Sequence, residues 1–149
     1  MRTLSKTDFE EVLKPVHKTH WKNAYRKLSS KMSSLKSSLN HRSKECNVKC
    51  EITSPEIRQM FYDSYGKGCG YCGKRLTIYT IVCDHIVPLS KKGESTVENL
   101  QLICKQCNAR KGPLNEPDFA ILIQLVLELP EDIKNYVMKK LAKGSRYDT

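Results

Sequence analysis

The sequence predicts an α+β fold, in which a small zinc-stapled unit of two strands and one helix is surrounded by N-terminal and C-terminal helices. Two Cys-x-x-Cys pairs, Cys69/Cys72 and Cys104/Cys107, are separated by 31 residues, which is enough chain for two short strands. Outside this unit, apolar residues recur at helical spacing. We therefore divide the chain into three parts: a basic helical extension at residues 1–50, a core at 51–115 and a C-terminal helical pair at 116–149.

The charge of the chain is strongly positive and unevenly distributed. The 149 residues carry 26 Lys+Arg and 16 Asp+Glu, a formal net charge of +10. Residues 1–50 hold 12 Lys+Arg against 4 Asp+Glu, which accounts for +8 of this excess. Such a balance favours a polyanionic partner, most simply nucleic acid.

The N-terminal extension is predicted to form two helices. Residues 5–14 give a short helix with Ser5 or Thr7 as its N-cap. From about residue 17 to residue 43, alternating spacings of four and three predict a long helix with one apolar stripe. The stripe consists of Trp21, Tyr25, Leu28, Met32, Leu35 and Leu39. Three interpretations stay open: the stripe packs on the core, the basic face lies on a DNA backbone, or the stripe is a homodimer seam.

An extended connector and a third helix are predicted next. Residues 44–52 show no helical or strand periodicity and form the connector. Thr53 and Pro55 begin a helix that runs to about Tyr65, because a hydroxyl cap followed by proline in the first turn is a common helix start. Gly66 ends this helix just before the first cysteine pair.

The two cysteine pairs are predicted to bind a structural zinc ion, because tetrahedral zinc favours four thiolates from two such knuckles. The alternatives are two disulfides or four unrelated thiols. Of the other cysteines, Cys83 is predicted to fill the core. Cys46 and Cys50 with His41 would make a second metal site only with a fourth ligand, which is not evident.

Between the cysteine pairs the sequence predicts strand, loop and strand, followed by a helix. Residues 77–83 are β-branched and aromatic, and they lead into a polar Asp-His pair. Residues 100–103 form the second strand, and residues 105–111 form about two helical turns that Gly112 and Pro113 end.

The C-terminal part is predicted to be two helices that pack on the core. Residues 117–129 are apolar on most faces, which predicts a buried helix that is too short to span a membrane. Pro130 opens the last helix, whose apolar side chains are Ile133, Tyr136, Val137 and Leu141.

Residues 65–113 resemble the HNH endonucleases, which are also called ββα-metal or His-Me finger nucleases, in their four-cysteine zinc form. The resemblance rests on the two cysteine pairs and on three further motifs. These are Asp84-His85-Ile-x-Pro88, then Asn99-Leu-x-x-x-Cys104, then Cys107-Asn108-x-x-Lys111. The family often has histidine where this chain has Asn108, and a form with asparagine at this position is similar in activity.

The resemblance implies a role for each polar residue of these motifs. His85 would be the general base, a task that suits a neutral imidazole near pH 7. Asp84 and Asn108 would hold one divalent cation, Mg²⁺ or Mn²⁺, because both offer hard oxygen ligands. Asn99 would fix the loop so that His85 points inward. Two basic residues would hold a phosphate oxygen: Lys111 and Arg110.

Each of these residues also has a plainer interpretation. An isolated Asp-His pair is often a surface pair, and Asn99 is a candidate turn cap. Asn108 is a candidate helix cap rather than a ligand. Lys111 and Arg110 are candidates for solvated charge.

The sequence leads us to expect a metal-dependent DNA endonuclease that leaves 5′-phosphate ends, with double-stranded DNA as its first candidate substrate. The alternatives are a zinc-clipped DNA-binding module without chemistry, or an assembly subunit of a phage or restriction complex. An odd cysteine count of 7 and the absence of a secretory hydrophobic region in the sequence lead us to expect a reducing cytoplasm. No apolar run is long enough for a membrane span.

Overall fold

A computed structural model describes residues 1–144 of the chain, with six α-helices, three short 3-10 helices and one two-stranded sheet in that part. The elements in chain order are α1 (Lys6–His17), α2 (Trp21–Glu45), α3 (Ser54–Ser64), β1 (Ile81–His85), β2 (Leu100–Cys104), α4 (Lys105–Lys111), α5 (Glu116–Leu127) and α6 (Glu131–Gly144). The predicted α+β class is therefore confirmed. The predicted C-terminal part extends over residues 145–149, which lie outside the described residues.

The first helices start where their sequence signals predict. The backbone N–H of Asp8 donates to the Ser5 hydroxyl at the start of α1, and Asp8 accepts from the Ser5 N–H in return. Thr53 and Glu56 make the same reciprocal pair at the start of α3. Such capping boxes satisfy two N–H groups that have no partner inside the helix.

The long helix α2 packs the predicted stripe against the core of this chain. Four of the six stripe residues, Trp21, Leu28, Met32 and Leu39, are at most 8% exposed, and the other two are partly buried. They share one hydrophobic core with Phe9 of α1, Ile57 of α3 and Ile81 of β1. Apolar contacts of this kind make the extension and the cysteine-bearing unit one packed body.

The sheet begins later than the sequence predicts. β1 and β2 are antiparallel, with Ile81 opposite Cys104 and His85 opposite Leu100. Residues 77–80, predicted as strand, form a turn instead, because the Thr80 hydroxyl accepts from the Thr77 N–H and donates to the Arg75 carbonyl. Local hydroxyl–backbone bonds of this kind compete with the strand ladder.

The C-terminal helices cover the core only in part. On α5, the side chains of Phe119, Ile123 and Val126 are buried, as predicted, but Ile121 and Leu125 are 62% and 59% exposed. The prediction of a wholly buried helix was therefore wrong for the outer face, since the neighbouring elements lie on one side. Within residues 1–144, no helix combines the length and apolar character that a membrane span requires.

Candidate active site and metal centre

The four cysteines of the two pairs meet at the base of the sheet. The sulfur atoms of Cys69, Cys72, Cys104 and Cys107 all lie within 4.8 Å of one another. A tetrahedral zinc ion with Zn–S bonds of about 2.3 Å needs sulfurs about 3.8 Å apart, so the cluster fits such an ion. All seven cysteines are free of disulfides, which removes the disulfide alternative for these four.

The surroundings of the cluster favour the thiolate form of one cysteine, Cys69. The N–H of Cys104 donates to Cys69 Sγ at 3.5 Å, and the N–H of Cys107 donates to Cys104 Sγ at 3.3 Å. The Cys107 side chain and then the Cys104 N–H lower the pKa of Cys69 to about 4, whereas the contact with Cys69 raises the pKa of Cys107 and burial raises that of Cys104. Thiolate is the form in which cysteine binds zinc.

An open cleft of about 460 Å³ lies beside the end of β1. β1 supplies Asp84 and His85, and α4 supplies Asn108. Successive strand residues point to opposite faces, and both can reach one cleft here because the strand ends at His85. The structure thus brings together the predicted base and both predicted cation ligands.

Asp84 and Asn108 both line this cleft, and their side chains carry a carboxylate and an amide group. Hard oxygen donors of these two kinds suit Mg²⁺ or Mn²⁺, and the open side of the cleft leaves room for water and a phosphate. The residues present therefore fit a divalent cation. Gln101 Nε2 donates to Asp84 Oδ2 at 3.0 Å and orients the carboxylate.

Lys111 lies in a different place from the phosphate contact that the motif predicts. Its side chain is fully buried, with Nζ 3.2 Å from Asp84 Oδ2 and 2.9 Å from the carbonyl oxygen of His85. Its ammonium group therefore neutralises Asp84 from behind. A buried cation requires such partners, since an unpaired charge in the interior costs several kcal/mol.

Arg110 also lies away from the cleft. Its Nη1 donates to Cys107 Sγ at 3.9 Å, and its buried Nε has no hydrogen-bond partner among the described residues. Arg110 lines a separate apolar groove between α4 and α6. Its described contacts are with the cysteine cluster.

His85 is 6% exposed, and its Nε2 lies 2.8 Å from the Ser95 hydroxyl oxygen. Burial is the main cause of a low imidazole pKa here, and together with the positive charges of Arg42 and Lys111 it lowers that pKa to about 4. The ring is therefore neutral at pH 7, which is the state a proton acceptor needs.

Asn99 holds the loop that follows His85. Its Oδ1 accepts from the Val87 N–H at 2.9 Å, and its Nδ2 donates to the carbonyls of Val87 at 3.1 Å and Glu94 at 2.8 Å. Its own carbonyl accepts from the Ile86 N–H at 2.8 Å. Asn99 is outside the cleft lining, and these are the contacts that a loop-fixing residue makes.

Residues 69–114 match the family model described as HNH endonuclease. This segment is an HNH domain. Over 54 residues the chain is 46% identical to a CRISPR-associated endonuclease Cas9 from Corynebacterium diphtheriae. The alignment covers 36% of this chain and 5% of that relative's length. The four cysteines of this domain fit structural zinc.

Two functional candidates that the motifs did not indicate come from outside the HNH domain. Arg42 of α2 lines the cleft beside Asp84 and His85. Ser43 of α2 is 1% exposed, and its hydroxyl lies 2.6 Å from that of Ser95. Neither residue lies at a fixed spacing from the HNH motifs. The only sequence signal for them is that they belong to a basic, serine-rich helix.

Proposed function

We propose that the chain is a metal-dependent endonuclease that hydrolyses phosphodiester bonds of DNA and leaves 5′-phosphate ends. The observation that carries this proposal is the meeting of Asp84, His85 and Asn108 in one open cleft next to a four-cysteine cluster. A DNA-binding module without chemistry would need the cluster and a basic surface, but not these three side chains together.

The proposed reaction is the attack of a water molecule on the phosphorus. His85 accepts a proton from that water as the new P–O bond forms, and the bond from phosphorus to the 3′ oxygen breaks. The phosphate stays on the 5′ end of one product, and the leaving 3′ oxygen takes a proton from solvent water to become the 3′ hydroxyl of the other. A divalent cation held by Asp84 and Asn108 would supply charge stabilisation to the phosphate and to the leaving oxygen.

The remaining residues position these groups in the proposed mechanism. Asn99 fixes the loop behind His85, and Lys111 balances the charge of Asp84. Arg42 is the exposed cation at the cleft and is our candidate for the contact to a phosphate oxygen, in place of Lys111. Zinc at the cysteines would staple β2 and α4 to residues 69–73.

The geometry also supports a DNA contact along one edge of α2. Lys27 Nζ lies 5.9 Å from the ring centre of Tyr79, Lys31 lies close enough to Lys105 for their charges to interact, and Arg42 reaches the cleft. Helix α2 therefore runs alongside β1. The 15 helical steps from Lys27 to Arg42 span about 22 Å, which is comparable to a few phosphates of one DNA strand.

The assembly-subunit alternative is favoured by one observation, the exposed apolar side chains of α5 and α6. Ile121, Leu125, Ile133 and Tyr136 are each more than half exposed. Large apolar side chains exposed on neighbouring helices are candidates for a protein contact. Size-exclusion chromatography with light scattering tests whether the chain associates with itself.

The cytoplasmic location stays a prediction.

The test of the proposed function is a cleavage assay with supercoiled, linear, branched and single-stranded DNA in Mg²⁺ or Mn²⁺. We expect the wild-type protein to cut, and His85→Ala to abolish cutting while zinc content and DNA binding persist. His41→Ala, at an exposed histidine of α2, is the matched control and should cut normally. Undiminished cutting by His85→Ala would exclude the proposed role of this residue.

A further inference from the structure

A chain of two buried hydroxyl groups connects the proposed general base to a helix outside the HNH domain. His85 Nε2 lies 2.8 Å from Ser95 Oγ, and Ser95 Oγ lies 2.6 Å from Ser43 Oγ. Ser95 is 0% exposed and Ser43 is 1% exposed, so no bulk water competes for these hydrogen bonds. When two buried hydroxyl groups are in contact, one must donate the hydrogen bond and the other must accept it.

The backbone holds both serines in place. The Ser95 N–H donates to the Lys49 carbonyl at 2.9 Å, and the Ser95 carbonyl accepts from the Glu51 N–H at 3.0 Å. The Ser43 carbonyl accepts from the Val48 N–H at 2.9 Å. The connector after α2 therefore binds both the N–H and the carbonyl of Ser95. These bonds fix the backbone and limit the partners that each hydroxyl can reach.

The direction of this chain decides which imidazole nitrogen carries the proton. If Nε2–H donates to Ser95, and Ser95 donates to Ser43, then Nδ1 has a free lone pair. If the order is reversed, Nδ1 carries the proton and cannot accept another. Nδ1 has no hydrogen-bond partner among the described residues, so it is the nitrogen available to substrate.

We propose that Ser43 and Ser95 are positioning residues that hold His85 as its Nε2–H tautomer, with Nδ1 directed to the attacking water. The inference rests on the proposed function. In this arrangement Ser95 donates to Ser43, and the Ser43 hydroxyl directs its own hydrogen to an acceptor other than Ser95. The base of the HNH domain is then set by a residue of the N-terminal extension.

The kinetic test compares three variants on α2. We expect Ser43→Ala to lower kcat by about 10-fold to 100-fold with little change in KM, which is typical of lost support behind an active-site group. Ser43→Thr keeps the hydroxyl and should restore most of the rate. Ser37→Ala, at an exposed serine of the same helix, should leave it unchanged. A Ser43→Ala protein with wild-type kcat would overturn the proposal.

The spectroscopic test does not depend on cleavage. Nitrogen-15 NMR of the zinc-loaded wild-type protein should show His85 with a protonated Nε2 and an unprotonated Nδ1. In Ser95→Ala, and more weakly in Ser43→Ala, the two tautomers should mix, with the melting temperature recorded to confirm folding. A wild-type signal from the Nδ1–H tautomer would overturn the proposal even if the variants lose activity.

Failure of this inference can be separated from failure of the proposed function. If His85→Ala is inactive but Ser43→Ala and Ser95→Ala cut at the wild-type rate, only the hydroxyl chain is wrong. If the wild-type protein does not cut, the proposed function is wrong, and if His85→Ala still cuts, the proposed role of His85 is wrong. In both cases the tautomer in the NMR spectrum decides the hydroxyl chain by itself.

Discussion

Asp84 is a carboxylate at 8% exposure with two partners that approach it from inside the protein. Gln101 donates one hydrogen bond, and Lys111 places its ammonium group 3.2 Å away. Loss of one member of such a buried pair leaves the other charge without compensation, which is more costly than loss of both.

The Lys111→Met variant should therefore be less stable by about 3 kcal/mol, because the Asp84 carboxylate stays buried without its counter-ion. Urea unfolding in a buffer that contains zinc but no magnesium measures this. The double variant Asp84→Asn with Lys111→Met is the control and should lose less than the single variant. Equal losses in the single and the double variant would mean that the ion pair does not carry the effect.

The acid limit of cleavage should lie well below the ordinary imidazole pKa of about 6.5. The pKa of His85 is lowered to about 4 by burial, Arg42 and Lys111. A lowered pKa keeps the ring unprotonated as the pH falls through 6.5, so kcat at pH 5.5 should remain close to its value at pH 7. The pH profile of kcat measures this.

Arg42→Gln provides a check on the cause of that shift. Removal of the guanidinium charge should raise the pKa of His85 and move the acid limb of the profile toward higher pH. A wild-type profile that is already half-maximal near pH 6.5 would contradict the predicted shift.

Gly93 has no room for a side chain. A Cβ there would lie 1.7 Å from the Val87 carbonyl oxygen and 2.9 Å from Asn99 Nδ2. Gly93→Ala should therefore displace the loop behind His85 and lower kcat at least about 10-fold, the scale of other losses behind an active-site group, while zinc content stays normal. Gly70→Ala is the control, because nothing lies within 4 Å of the Cβ it would add. Similar rates for the two variants would show that the loop tolerates the change.

At the scale of residues, the sequence predicted which residues line the cleft better than it predicted what surrounds each of them. The motif spacing was sufficient to select Asp84, His85 and Asn108, which do meet in one cleft. The burial of Lys111 was not predictable, since lysine is rarely buried and its two partners are set by the sheet register. Arg42 was missed because its approach depends on how α2 packs.

Among the elements, helix α2 has two faces with different neighbours. Lys27, Lys31 and Arg42 lie on the face beside the HNH domain, whereas Lys22 lies on the opposite face, in a groove with Lys6 of α1. This contrast within one helix allows a test at constant charge.

The double variant Lys27→Gln with Lys31→Gln should weaken DNA binding and lower the slope of log K against log salt by up to about 2, because two phosphate contacts are lost. Lys22→Gln with Lys36→Gln removes the same charge from elsewhere on α2 and should change the slope much less. Filter binding or fluorescence anisotropy at several salt concentrations measures both. Equal effects would show that only overall charge matters.

Local signals predicted the starts of the helices α1 and α3, but not the start of β1 or the burial of α5. The caps at Ser5 and Thr53 lie where the sequence indicated, because capping depends on neighbours three residues away. Residues 77–80 have strand-like composition but form a turn through the Thr80 hydroxyl. The exposed face of α5 was not predictable, since composition does not reveal which faces find a neighbour.

In the molecule as a whole, the cysteine cluster connects distant parts of the chain. It brings residues 69–73 to the junction of β2 and α4, and β1 and β2 share one core with α2 and α3. A two-stranded sheet has little stability alone, so bound zinc should support the whole molecule.

Cys104→Ser should therefore abolish cooperative unfolding, because a structural zinc site supplies folding energy that three thiolates cannot replace. Thermal unfolding by circular dichroism and zinc analysis measure the effect. Cys46→Ser, at a cysteine outside the cluster, should retain the wild-type transition. An unchanged melting curve for Cys104→Ser would contradict the structural role of the ion.

The cleft has two walls of different origin. One wall, with Asp84 and Asn108, belongs to the segment that matches the HNH family model. The other wall, with Arg42, comes from a flanking helix that the shared family model does not include. We expect that exchanging this flanking helix between proteins with the same HNH domain would change which strands are cut, without any change to the chemistry.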